Sequence, residues 1–145
     1  MPDLIFLDLE WNTAFYRDKA TGERLPFHEL IEVAAMRVDQ ATGAMVDSFH
    51  SYVHPRVSRK IDSRTYRLLP YSREELTALL AEAPTFLDLG PAFLHWCGPD
   101  PVFVEWGNND VEVLMRNFQF HHISFDPDWK CEWFDLQYMY QKLTG

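Results

Sequence analysis

Two carboxylates one residue apart, Asp8 and Glu10, close the apolar run of LIFLDLEWNT, and a third, Asp110, ends the turn-like stretch WGNND. Side chains alternate along a strand, so Asp8 and Glu10 project from one face about 6.6 Å apart along the chain. A hard divalent cation such as Mg²⁺ binds carboxylate oxygens at about 2.0 to 2.1 Å, keeps several waters, and needs only one or two protein carboxylates plus a substrate phosphate. The pair could serve such an ion. It could equally be two solvated acids at the point where a strand leaves the core. Asp110 also has two readings. It is either a carboxylate held near the end of a sheet, or an acid in a first helical turn, favoured by the macrodipole alone.

The elements that would carry these acids follow from pattern. Leu4 to Leu9 is a short apolar run suited to a strand buried on both faces. Asn12 to Glu29, polar with Gly22 and Pro26, reads as a long loop. Leu30 to Val38 and Met45 to Val53 read as strands joined at DQATGA, hence a hairpin. Ser72 with Glu75 is a capping box that opens an amphipathic helix ended by Pro84. A second helix starts near Thr85 and stops at Gly98-Pro99, with Pro91 able to distort its first turns. Val102 to Glu105 reads as a strand, GNN as a turn, and Asp110 to Phe118 as a helix with Asn109 at its N-cap. A strand or turn near Trp133 to Asp135 leads into a helix over Leu136 to Leu143. The order β-β-β-α-α-β-α-β-α predicts an α/β domain with a mixed sheet.

The ordered set FLDLEWN, PFHELIEVAAMRVD, SFHSYVHP, FLHWCG, FVEWGNND followed by VLMRN, and FDLQYMY resembles the DEDD superfamily of 3′–5′ exonucleases over nearly the whole chain. It is most similar to the histidine-containing, DnaQ-like group. The resemblance implies a ribonuclease-H-like mixed sheet of about five strands flanked by helices, with the first strand central. It implies that Asp8, Glu10 and Asp110 are catalytic and hold one or two Mg²⁺ or Mn²⁺ ions. The substrate would be the 3′ end of single-stranded RNA or DNA, shortened by one nucleoside 5′-monophosphate at a time. Trp11 and Asn12 would touch the terminal nucleotide. The family's third motif, a histidine followed five residues later by an aspartate, does not stand where expected. The chain is therefore read as one C-terminally incomplete domain, 1–145, lacking the last helices and low in activity.

His121 and Asp126 have the five-residue offset, but they follow Asp110 closely and precede Pro127, which disfavours helical geometry at Asp126. They read as a surface loop, and His28, His50, His54 and His95 have no metal-ligand spacing. Glu105 is a further candidate ligand, whereas Trp106 is expected to pack. For a single strand, Phe15, Tyr16, Arg17 and Lys19 and the basic segment Arg56 to Arg73 offer aromatic and cationic contacts. A charged, solvated loop is the alternative.

The broad bounds agree with this. The 145 residues suffice for one core. Net charge is −9, yet residues 1–73 are balanced and the acidic excess falls wholly in 74–145, so an acidic chain still has a basic face for nucleic acid. Two cysteines give no disulfide framework, and no apolar run approaches the roughly 18 residues of a membrane span. A cytoplasmic protein is expected. Two further readings stay open. One is a non-catalytic exonuclease-like module binding nucleic acid or a protein. The other is a homodimer formed by exchange across an exposed sheet.

Overall fold

The computed structural model describes residues 2–107 and 109–145, so the turn read at GNN includes one residue, Asn108, outside the described part. Five strands form one mixed sheet in the order β3-β2-β1-β4-β5, with β1 (Leu4–Arg17) at its centre. β1 runs antiparallel to β2 (Arg24–Val38), and β2 antiparallel to β3 (Met45–Tyr52). β4 (Val102–Glu105) is parallel to β1, and β5 (Glu132–Asp135) is parallel to β4.

The stretch read as a long loop is instead a hairpin. β1 continues past Glu10 to Arg17, and β2 returns from Arg24, paired residue for residue. The tip is a closed turn. The Asp18 carboxylate accepts from the N–H groups of Ala20 and Thr21, and Gly22 supplies the positive φ of 72°. Pro26 is tolerated because β3 pairs only with Glu32–Val38, leaving this part of β2 with a single neighbour. Polar composition misled because an arm exposed on much of its surface needs no apolar alternation.

Helices were placed nearly as the sequence reads. α2 (Arg73–Ala81) opens on the Ser72–Glu75 capping box. α3 (Phe86–Cys97) runs through Pro91. α4 (Asp110–Phe120) follows β4, and α5 (Leu136–Thr144) follows β5. A short helix, α1 (Ser63–Leu68), was missed in the basic segment; Asp62 caps it by accepting from the Arg64 N–H.

The core lies on one face of the sheet. Ile5, Leu7 and Leu9 of β1 meet Phe93 of α3 and Leu114 and Phe118 of α4, all buried. Each such side chain contributes about 1.5 to 3 kcal/mol by leaving water. Up to Glu10 the opposite parity of β1 is not buried: Phe6 is half-buried and Asp8 exposed. The first strand is thus covered on one face here, not on two, and the other face is free to present acids. Among the described residues no helix is long and apolar enough to cross a membrane.

Candidate active site

Asp8 and Glu10 stand on the face of β1 opposite the core, Asp8 exposed and Glu10 half-buried. Immediately after Glu10 the β1–β2 register slips. Glu10 pairs with Glu32 but Trp11 pairs with Leu30, so Ile31 is an extra residue on β2. Such a bulge bends the strand and re-aims its neighbours. Ile31 turns into a second apolar cluster with Ile61, Leu76 and Leu80.

Asp110 reaches the same point from the other side. β1 pairs with β4 only over Leu4–Phe6, so further along β1 the backbone on that side has no strand partner. Asp110 Oδ2 accepts from the Leu9 N–H at 3.0 Å, which ties it to the peptide between Asp8 and Glu10. The sequence places Asn109 at the helix N-cap, and it stands there, but its side chain caps nothing. Glu105 does so from β4: its Oε2 accepts from the Val111 N–H at 2.8 Å. Glu105 points inward, is only 2% exposed, and leaves Oε1 without a partner among the described residues. Asp135 secures the neighbouring turn by accepting from Gly107 and from Tyr138, the latter at the start of α5.

The electrostatics follow from this crowding. Burial pushes the Glu10 carboxyl up to about 7, reinforced by Asp8, Glu32 and Asp110. Burial also raises Asp110, opposed by the Leu9 N–H, and raises Glu105, opposed by the Val111 N–H. Glu32 was not singled out from sequence. It lies directly across from Glu10 and is paired with His50 Nε2 at 3.5 Å. Like charges directly opposite on a sheet destabilise it. Only the β1–β2 register, hidden by the bulge, would have exposed this residue.

Oxygen donors of this kind suit a hard divalent ion. Among the described residues no three His, Cys, Asp or Glu side chains converge as a closed ligand set. A pair of carboxylates, with water and a substrate phosphate supplying the rest, is the arrangement that fits.

The predicted substrate residues separate. Trp11 lines a concavity of about 320 Å³ with His28, Asn109, Glu112, Val113 and Arg116, its ring edge-on to His28. Asn12 corrects the expectation of nucleotide contact. It is wholly buried, donates from Nδ2 to the Lys60 carbonyl, and accepts at Oδ1 from the Asp62 N–H. With both amide ends so engaged, it holds a loop. Trp106, expected to pack, is 59% exposed. His121 is buried at the C-cap of α4 beside Phe86 and Phe120, roughly 16 Å along the helix from Asp110. Asp126 lies in the following turn and accepts from the Asp128 N–H. The two do not join the acids.

The RNase_T family model, described as Exonuclease, matches residues 20–143, which include Asp110 and begin after Asp8 and Glu10. The chain is similar to the "Probable 3'-5' exonuclease KapD" of Bacillus subtilis, 29% identical over 121 residues, which make up 82% of this chain and 55% of that protein. It therefore spans about half the length of that curated relative. Among solved structures it resembles the nuclease domain of 3'hExo, "a DEDDh family member, bound to rAMP", with a TM-score of 0.71 and 15% identity over 97% of this chain and 69% of that one. It also resembles E. coli Exonuclease I in complex with an oligonucleotide, with a TM-score of 0.69 and 14% identity over 98% of this chain and 30% of that one. At these identities the likeness is one of fold: the five-stranded, ribonuclease-H-like exonuclease fold.

Proposed function

This chain belongs to the RNase_T exonuclease family, within the DEDD exonuclease superfamily, and from that premise we propose that Asp8, Glu10 and Asp110 form its metal-dependent 3′–5′ exonuclease site. The substrate is the 3′ end of single-stranded RNA or DNA, and the products are nucleoside 5′-monophosphates. One observation carries the reading: the Asp110–Leu9 hydrogen bond, which holds the helical acid to the backbone between the two strand acids.

Asp8, being exposed, offers its oxygens directly to an incoming phosphate–cation pair. Glu10 joins when it gives up its proton, which a cation at the site favours. Asp110 keeps Oδ2 for Leu9 and would turn its other oxygen to the ion. A Mg²⁺ or Mn²⁺ ion held there supplies Lewis-acid polarisation of the phosphate and activation of water. Trp11, which lines a concavity beside α4, would stack on the terminal base in this reading. A general base contributes about 10²- to 10⁴-fold. Among the described residues the histidine beside this acidic group is His50, whose Nε2 lies 3.5 Å from Glu32 rather than from Asp8, Glu10 or Asp110, so low turnover by this chain is expected.

The test is hydrolysis of 3′-labelled single-stranded RNA and DNA with Mg²⁺ or Mn²⁺, comparing the chain with Asp8→Ala. Slow mononucleotide release that Asp8→Ala abolishes supports the reading, and release unaffected by the substitution overturns it. The alternative, a non-catalytic module, is favoured by the absence of a three-ligand cluster among the described residues. It predicts oligonucleotide or protein binding without metal-dependent cleavage.

A further inference from the structure

The hairpin arm and the basic segment meet away from the acids, and two clefts open where they do. One, of about 620 Å³, carries Arg24, Lys60 and Arg73. The other, of about 790 Å³, carries Arg17, Lys19 and Arg56. Phe15 and Val57 line both, so the clefts adjoin across a shared wall and are taken together as one groove.

The groove is cationic in an acidic protein. Its six cations are all exposed, and among the described residues none of them is in an ion pair. The carboxylates in the lining are Asp18 and Asp62, and both accept backbone N–H groups of their own turn or helix. Aromatic faces lie among the charges. The Arg24 guanidinium sits 3.8 Å over the Phe15 ring inside the groove, and Arg73 sits 4.9 Å over Tyr66, which lies outside the lining. Guanidinium planes and aromatic rings beside cations that have no carboxylate partner among the described residues suit a flexible polyanion with stacking bases. Glu29 and Asn12 hold the loop that builds one wall by accepting and donating hydrogen bonds to its backbone.

Its position is set by β1. The same strand carries Glu10 and, seven residues on, Arg17, a distance of roughly 23 Å at strand rise. A single strand with its 3′ end at the acids would need to span that distance, several nucleotides, to reach the arm.

We propose that this groove binds the phosphate backbone of the single-stranded nucleic acid upstream of the 3′ end, so that affinity depends on strand length beyond the terminal residues. The direction of the strand rests on the exonuclease reading; binding by the groove does not.

The experiment is fluorescence anisotropy of 5′-labelled single-stranded DNA and RNA, about four and about twelve nucleotides long, in EDTA over a salt series. Three charge-neutralised variants are compared: Arg24→Gln/Lys60→Gln/Arg73→Gln, Arg17→Gln/Lys19→Gln/Arg56→Gln, and a control, Arg59→Gln/Arg64→Gln/Arg67→Gln, from the same basic segment outside the groove. With six contacts the logarithmic salt slope for the longer strand is about −4, and each groove variant reduces it by about 2 and the affinity by about tenfold or more. The control changes affinity by less than about twofold, and thermal melting verifies that all fold. Absence of oligonucleotide binding, as for a protein-binding face, overturns the proposal, as does a control variant that weakens binding as much as the groove variants. Asp8→Ala binding is measured alongside. Loss of binding in groove variants without any Asp8-dependent hydrolysis refutes the exonuclease reading alone, whereas hydrolysis with unchanged groove-variant binding refutes the groove alone.

Discussion

Asn12 and Glu29 face each other across the β1–β2 hairpin, and both hold the same basic loop. Glu29 is 3% exposed. It accepts from the N–H groups of Arg56 and Val57 at 2.8 Å each and of Ser58 at 3.2 Å, while Asn12 bridges Lys60 and Asp62. Hydrogen bonds to a charged acceptor are each worth about 1.5 to 3 kcal/mol, and orphaned buried donors cost more than exposed ones. Glu29→Ala is therefore expected to lose roughly 3 kcal/mol or more by denaturant melting. It should also speed trypsin cleavage after Arg56, Arg59 and Lys60 well below the melting temperature. An unchanged cleavage pattern would show that the clamp does not order the loop.

Gly90 of α3 fixes how closely that helix approaches its neighbours. A Cβ there would meet Ile123 Cδ1 at 3.0 Å, Phe118 Cε1 at 3.1 Å and Phe86 Cε1 at 3.2 Å. Alanine gains up to about 1 kcal/mol in helix propensity, and overpacking costs about 1 to 3 kcal/mol. Ile123 is half-buried and can yield, but the Phe118 and Phe86 rings are fixed in the core. Overpacking wins. Gly90→Ala should lower the melting temperature by several degrees, and a rise would mean the rings repack freely.

What could be read in advance depended on whether the signal was local. Helix α2 was legible because Ser72 and Glu75 form the whole of its cap, and β4 because the apolar run Val102, Phe103 and Val104 stands between Pro101 and Gly107. The hairpin arm was missed although its signal was present. Asp18–Glu23 reads DKATGE, nearly the DQATGA of Asp39–Ala44, and the two turns have the same build. In each, an aspartate accepts from the N–H two residues on, a threonine accepts from the N–H two residues on, and the glycine has a φ of 72°. Comparing them would have predicted two hairpins. For the site, strand alternation put Asp8 and Glu10 together, and Glu105 was a candidate, but Glu32, the inward, capping orientation of Glu105 and the buried role of Asn12 depend on pairing register and loop closure, which no local pattern carries.

The Leu9–Asp110 contact separates a structural from a chemical role. Asp110→Ala leaves a buried N–H without its acceptor, at a cost of about 1 to 2 kcal/mol, or roughly 3 to 6 °C in melting temperature. Asp110→Asn keeps an acceptor oxygen and should recover most of that loss. It should not recover stabilisation by Mn²⁺, which needs the anionic oxygen. Calorimetric melting with and without Mn²⁺ distinguishes the two. An asparagine variant that responds to Mn²⁺ like the parent would remove Asp110 from the ion site.

Glu10 gives the site a pH dependence of definite sign. Its folded-state value is about 7 against an ordinary 4.5, through burial first and then Asp8, Glu32 and Asp110. Between those values the folded chain holds a proton that the unfolded chain has released, so stability falls as pH rises from about 4.5 to about 7 and levels off above. Glu10 is half-exposed, which screens the size of the effect but not its direction. Asp110 and Glu105, also raised, act in the same sense. Substituting Glu10→Gln isolates its share, because the amide does not titrate and repels neither Asp8 nor Glu32. Melting temperatures in EDTA between about pH 4.5 and 8 should fall less steeply for Glu10→Gln than for the parent. Adding Mn²⁺ should reverse the parent's loss mainly at the alkaline end, since a carboxylate must lose its proton to bind an ion. Parallel pH curves for the two proteins would mean that Glu10 keeps an ordinary carboxyl and that the four acids are less tightly coupled than their positions imply.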